Sequence, residues 1–224
     1  MSPERPSPAR QLVKRALTAS LPRAALLVRG RPDGPVCLTF DDGPHPEHTP
    51  RLLDVLAQLG LRATFFVVGE RVARHPALAR RIVDEGHLLG GHSYTHGPPA
   101  TTSARELGRE VRRTAELLAG ILGGVPTHFR PPHGKLTGPK LLGLWSQRQS
   151  IVLWSVDPKD FACCDAGEVA RFFVDRPLRG GDLVLLHDTA PYAAAVLPDL
   201  VTAARHDGLG FATVDAWTGR HPMR

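Results

Sequence analysis

The stretch Val36-Cys37-Leu38-Thr39-Phe40-Asp41-Asp42-Gly43-Pro44 decides the fold: an apolar, β-rich run breaks off into two carboxylates and a turn. A run of this kind between turn residues fits a strand buried on both faces, as in parallel sheets. Thr49-Pro50 then offers a helix start, with Thr49 able to cap and Pro50 at the first helical position. The pattern recurs along the chain. Short apolar runs at 64–68, 87–91, 127–130, 150–156, 182–186 and 210–214 predict further strands. Helical patterns near 50–59, 70–85, 103–120, 137–148, 166–175 and 193–206 lie between them, and Gly60 and Gly86 suit the stops of the first two.

Strand–helix alternation implies an α/β fold with parallel strands covered by helices. About seven strands could close as a small (β/α) barrel or stay an open doubly wound sheet, and periodicity does not separate the two. No Gly-rich dinucleotide fingerprint succeeds the first strand, and no Walker-type phosphate loop occurs.

Composition narrows the function classes. The 224 residues are 42% hydrophobic and 22% charged, enough for one sizeable core. No run approaches the roughly 20 apolar residues of a membrane-spanning helix. The net charge of +6 resides in residues 1–32, where seven basic side chains face one Glu. The remainder balances 21 basic against 21 acidic groups, which removes the case for nucleic acid as a partner. Residues 1–32 therefore read as a basic arm and 33–224 as the body. Short apolar pieces such as 24–28 among arginines make the arm a candidate for peripheral membrane contact as a surface helix, although packing on the body is the simpler expectation. Cys37, Cys163 and Cys164 form no disulfide framework, and Pro22-Arg23 interrupt any signal-peptide core, so the chain reads as cytoplasmic.

The residues at the end of each run carry the chemistry. The first run leads to Asp41-Asp42, the third to His92-Ser93-Tyr94-Thr95-His96, and the fourth through Arg130 to Pro131-Pro132-His133-Gly134. The fifth ends at Asp157-Pro158-Lys159-Asp160-Phe161 and the sixth at His187-Asp188. In parallel α/β folds the C-terminal strand ends gather around one site. Alone, each segment reads as a turn, a stiff loop or a structural histidine; together they predict a polar, ionisable cleft. His92 and His96, on one helical turn, would share a metal with one of the two adjacent aspartates. The other aspartate would then stand beside it as a base, which describes a hydrolytic site.

These five segments resemble, in order, the motifs of the polysaccharide deacetylase (NodB-homology) family of metal-dependent carbohydrate esterases. The resemblance runs from about residue 36 to 215 and implies a distorted (β/α) barrel of about seven parallel strands with helices outside. It implies that Asp42, His92 and His96 bind one divalent metal, zinc first, with cobalt or manganese as alternatives. Asp41 would be the general base, held by Arg130, and His187 the general acid, oriented by Asp160. The backbone N–H of His133 would help hold the oxyanion, with Pro132, Phe161 and Leu186 shaping the substrate wall. Two positions depart from the family pattern. His133 stands where Tyr is common, and Phe161 where Trp is usual, which bears on substrate shape more than on chemistry.

The expected substrate is an acetylated carbohydrate, an N-acetylated amino sugar by preference, because a His–Asp acid suits an amine leaving group. O-acetyl esters such as acetylxylan, or a lipid-linked sugar, are the alternatives. A retired binding module and an iron oxygenase are the competing classes. Intact Asp41, Asp42, His92, His96 and His187 argue against the first, and strand–helix alternation against the second. His45, His48, Trp145, Trp154 and Tyr192 carry no distinct signal beyond packing or the cleft rim.

Overall fold

A computed structural model describes residues 21–221. The run at 36–40 becomes β2 (Cys37–Asp41), buried throughout and hydrogen-bonded in parallel to β3 (Thr64–Val67) and β7 (Leu183–His187). With β1 (Leu26–Leu27), β4 (Leu88–Gly91), β5 (His128–Phe129) and β6 (Ser150–Val152), these form one seven-stranded sheet in the order β1-β6-β5-β4-β3-β2-β7. Every pairing in it is parallel. Beyond β6, Val156 bridges to Val184 of β7, so the far ends of the sheet curl toward each other. The result is the distorted barrel expected from the resemblance, not an open sheet.

The helices lie outside: α1 (His48–Gln58), α2 (Gly69–Arg74), α3 (Pro76–Asp84), α4 (Ala104–Leu122), α5 (Gly138–Ser146), α6 (Ala166–Asp175), α7 (Tyr192–His206) and the short α8 (Asp215–Thr218). Their ends follow local chemistry. Ser103 caps α4 by accepting from the Glu106 N–H at 3.1 Å, and Gly123 ends it in the left-handed conformation. Asp165 caps α6 in the same way through the Glu168 N–H at 2.9 Å. The helix expected over 70–85 is two, because Pro76 has no N–H to donate and disfavours helical geometry at His75. Among the described residues, no helix is long and apolar enough to cross a membrane.

Alternation within the strands divides the interior in two. Leu38 and Phe40 of β2, Phe65 of β3, and Val184 and Leu186 of β7 face the helices and pack with Leu52, Leu56, Ile82, Leu197 and Val201. Cys37, Phe66, Val152 and Leu183 point inward and meet Leu27 and Val214 at the floor of the barrel. Thr39 and Asp41 share the inner column of β2 with Cys37, so the site grows directly out of the barrel interior.

Two expectations change. The run 210–214 makes only one rung, with Val36 N–H donating to Gly210 O at 2.9 Å and Ala212 N–H to Val36 O at 3.0 Å. The chain then turns away, and its Val214 N–H donates to the Thr64 hydroxyl at 3.1 Å. The seventh strand is instead β1, inside 24–28, which is therefore no surface helix. It is held at the sheet edge by Trp145 Nε1, which donates to Ala25 O at 3.0 Å, and by the Arg29–Asp182 ion pair at 3.0 Å. Residues 1–20 of the arm lie outside the described residues.

Candidate active site

Asp41 ends β2 opposite His187 of β7, a register that sets one ionisable group from each strand at the barrel mouth. Strict alternation would turn Asp42 away, but its φ of 75° breaks the pleat and brings its carboxylate to the same cleft. His92 continues the ladder beyond β4, its N–H donating to Val67 O at 2.9 Å. His96 arrives differently from the expected helical turn. Ser93 and His96 both adopt left-handed backbone, and Ser93 Oγ accepts from the His96 N–H at 3.0 Å, which folds a tight loop. The two imidazoles end 4.9 Å apart, centroid to centroid.

Asp42, His92 and His96 each present a ligand atom within 4.8 Å of the others. Asp42 Oδ1 stands 3.5 Å from His92 Nε2 and 3.4 Å from His96 Nε2, buried and with no hydrogen-bond partner among the described residues. His92 Nδ1 lies 2.7 Å from the Arg130 carbonyl, which only accepts, so Nδ1 carries the proton and Nε2 offers its lone pair. Burial pushes the His92 imidazole down to about 3, keeping it neutral. An orphaned carboxylate oxygen between two imidazole nitrogens fits a divalent cation.

Arg130 fills the barrel interior, fully buried, its guanidinium 4.3 Å from the Phe66 ring centroid. Nη1 donates to Asp41 Oδ1 and to Thr39 Oγ1, each at 2.7 Å, while Nε and Nη2 donate to the carbonyls of Val152 and Leu153 at 3.2 and 2.9 Å. Burial raises the Asp41 carboxyl above its ordinary range, and Arg130 opposes that rise. Such a carboxylate is oriented, dry and closer in basicity to a proton acceptor.

Beside the neighbouring strand β7, fully buried Asp160 accepts from two nitrogens of one residue: His187 Nδ1 at 2.7 Å and the His187 backbone N–H at 2.8 Å. Burial alone would lower the imidazole; the hydrogen bond and charge of Asp160 outweigh it and raise it. Phe161, 60% exposed, sets its ring edge-on to His187 at 5.2 Å.

Between these groups opens a cavity of about 230 Å³, lined by the two aspartates and the histidines named above, with His133, Trp154, Asp157, Lys159, Phe161 and Leu185. A larger groove of about 530 Å³ between α6 and α7 is lined by neither histidine nor arginine and lies apart from this chemistry.

Leu186 is a correction. Along β7 His187 faces the cleft, and Leu185, two residues before it, shares that face and lines the cavity. Leu186 points the other way and packs among the helices. Pro132 is buried beside Ser93 and Leu107 rather than in the cleft. His133 reaches it, 5.0 Å from the His96 ring, through a backbone φ of 55°. Asp157 and Lys159, from the segment expected at the cleft, join the lining although no individual role is read for them, and Trp154 takes the rim position expected of it. Tyr192 instead donates its hydroxyl to Cys164 O at 3.1 Å, and His45 stacks on His48 at 4.5 Å outside the lining.

Residues 29–143 match the family model for polysaccharide deacetylases. The chain belongs to the polysaccharide deacetylase family. It is 36% identical over 154 residues to a peptidoglycan-N-acetylglucosamine deacetylase of Bacillus cereus, covering 69% of this chain and 56% of that one. It thus spans just over half the length of that relative. A chitooligosaccharide deacetylase of Bradyrhizobium is 39% identical over 157 residues, 70% of this chain and 71% of its own. Among solved structures, a peptidoglycan N-acetylglucosamine deacetylase superposes with a TM-score of 0.84 at 30% identity, covering 89% of this chain and 95% of that one. A family pseudoenzyme from Bacillus anthracis gives 0.79 at 25% identity, with 86% and 68% covered. The barrel alone therefore does not guarantee activity.

Proposed function

We propose that this protein hydrolyses the acetyl amide of N-acetylated amino sugars, releasing acetate and a free amine. The observation that carries the reading is the pair of proton-transfer groups that line one cleft from neighbouring strands, Asp41 on Arg130 and His187 on Asp160. Asp42, His92 and His96 would hold a divalent cation between them, zinc before cobalt or manganese. When bound, the ion lowers the pKa of water and polarises the acetyl carbonyl.

Asp41 takes the proton from the attacking water, and Arg130 keeps its carboxylate aimed at the cleft. As the tetrahedral centre collapses, His187 gives a proton to the departing nitrogen, because an amide anion is a very poor leaving group. Asp160 stabilises the charged imidazole until that transfer and fixes its tautomer. The N–H of His133 is assigned to the developing oxyanion. Phe161 offers an apolar platform for a sugar ring, and the small cavity suits one residue of an oligosaccharide at a time. The activities named for the Bacillus cereus and Bradyrhizobium relatives support an N-acetylglucosamine-containing substrate.

The test is acetate release from N-acetylglucosamine oligomers by metal-loaded protein, beside a chelator-treated sample and Asp41→Asn. Release that both controls abolish supports the reading. Stoichiometric metal binding without release from these oligomers transfers the proposal to acetyl esters or lipid-linked sugars. Failure to bind any divalent metal leaves a binding module.

A further inference from the structure

Behind the three clustered ligand groups lies a carboxylate that none of the chemistry above uses. Asp188, directly after β7, is 1% exposed, and among the described residues one side-chain donor meets it: Thr49 Oγ1, 2.5 Å from Oδ2. Its Oδ1 has no hydrogen-bond partner among them. A buried carboxylate with so few donors is an expensive way to fill space. Its surroundings show what it holds.

Asp42 adopts a φ of 75°, a conformation that a non-glycine residue keeps only where its surroundings over-determine it. The restraints converge on its flanks. Val68 N–H donates to Gly43 O at 3.0 Å, and Asp188 N–H to Asp41 O at 3.3 Å. The Asp188 carboxylate presses against Gly43 so closely that a Cβ there would collide with both of its oxygens. Thr49 accepts from the His45 N–H at 2.7 Å, which turns its own O–H toward Asp188. The relay from His45 through Thr49 to Asp188 ties the loop after Asp42 down to the end of β7.

We propose, on the metal-site reading above, that Asp188 is a positioning residue: acting through Thr49 and Gly43, it fixes the backbone angle that aims Asp42 at the metal. Metal affinity is therefore the quantity it controls, and stability alone is what a merely structural residue would change.

The experiment measures Zn²⁺ and Co²⁺ affinity by competition with a chromophoric chelator, on the full chain. The variants are Asp188→Ala, Asp188→Asn, Thr49→Val and Thr49→Ser, and thermal melts of each metal-free protein run alongside. Asp188→Ala and Thr49→Val are expected to weaken binding by about 10- to 100-fold, the usual cost of losing an outer support of a ligand. Asp188→Asn keeps an acceptor and Thr49→Ser keeps the hydroxyl, so both retain most of the affinity. The Co²⁺ visible spectrum changes in the Ala and Val variants and not in the Asn and Ser variants. Should Asp188→Ala fail to fold, Thr49→Val decides. Equal affinities across the series, whatever the melting temperatures, overturn the positioning role and leave the metal site standing. A wild-type protein that binds neither ion overturns both.

Discussion

Replacing Asp160 by Asn tests the acid half of the site with almost no change in volume. The carboxylate accepts from two donors of His187, Nδ1 and the backbone N–H. An amide has one acceptor oxygen. If that oxygen keeps the backbone bond, its NH₂ faces Nδ1, which must then accept, and the imidazole is driven into the wrong tautomer. The charge that favours the imidazolium is lost as well. A hydrogen bond to a charged group contributes about 1.5–3 kcal/mol. At about 1.36 kcal/mol per decade, kcat/KM should fall by about 10- to 150-fold.

The pH profile carries the sharper signature. Asp160 raises the His187 imidazole against the effect of burial. Activity that needs the protonated form persists below the raised pKa and falls as pH rises through it. Without Asp160 that fall moves to lower pH. Initial rates of acetate release across the neutral range would show it. A rate loss with the alkaline limb unmoved, or no rate loss at all, refutes the assignment of His187 as an acid supported by Asp160.

Asp41→Asn should retain stoichiometric metal while losing about 10²–10⁴-fold in rate, the usual contribution of a positioned base; parallel metal analysis and kinetics check it. Arg130→Met leaves Asp41 buried and unpaired, and denaturant unfolding should show a loss of about 3–5 kcal/mol. Leu185→Ala should alter KM, whereas Leu186→Ala, cut from the helix-facing core, should cost about 2–5 kcal/mol of stability; kinetics and urea unfolding of the two separate these effects. Burial raises the Asp188 carboxyl to about 7 from 3.8, so the folded metal-free protein binds this proton more tightly than the unfolded chain. Its stability should therefore decline as pH rises through that interval, and urea midpoints of Asp188→Asn should lack that part of the decline.

The sequence is most legible where its signal is local. Five polar segments at the ends of successive apolar runs are visible without any tertiary information, because a parallel α/β fold has only one end at which they can meet. Stops are legible too, as at Gly60, since they answer to the backbone within a few residues. The cap expected at Thr49 is not formed: α1 begins at His48 after Glu47, and the Thr49 hydroxyl accepts from the His45 N–H and donates to Asp188. Features that depend on partners far along the chain escape such a reading. The run 210–214 has strand composition, yet Thr64 and Val36 take its hydrogen bonds after one rung. Leu26–Leu27, two residues among arginines, become a strand only because β6 presents an open edge.

The same division holds inside the cleft. Residue types and spacing determine which groups meet: two aspartates, three histidines, Asp160 and Arg130. Tertiary structure alone decides how they point. Left-handed backbone at Asp42 and His96 replaces the pleat and the helical turn that spacing suggests. The Arg130 carbonyl, brought 2.7 Å from His92 Nδ1, selects its tautomer, and Asp160, 27 residues away in sequence, selects that of His187. Identity is written in the chain because side-chain chemistry is local; orientation is not, because it is set by hydrogen-bond partners that only the folded barrel brings within reach.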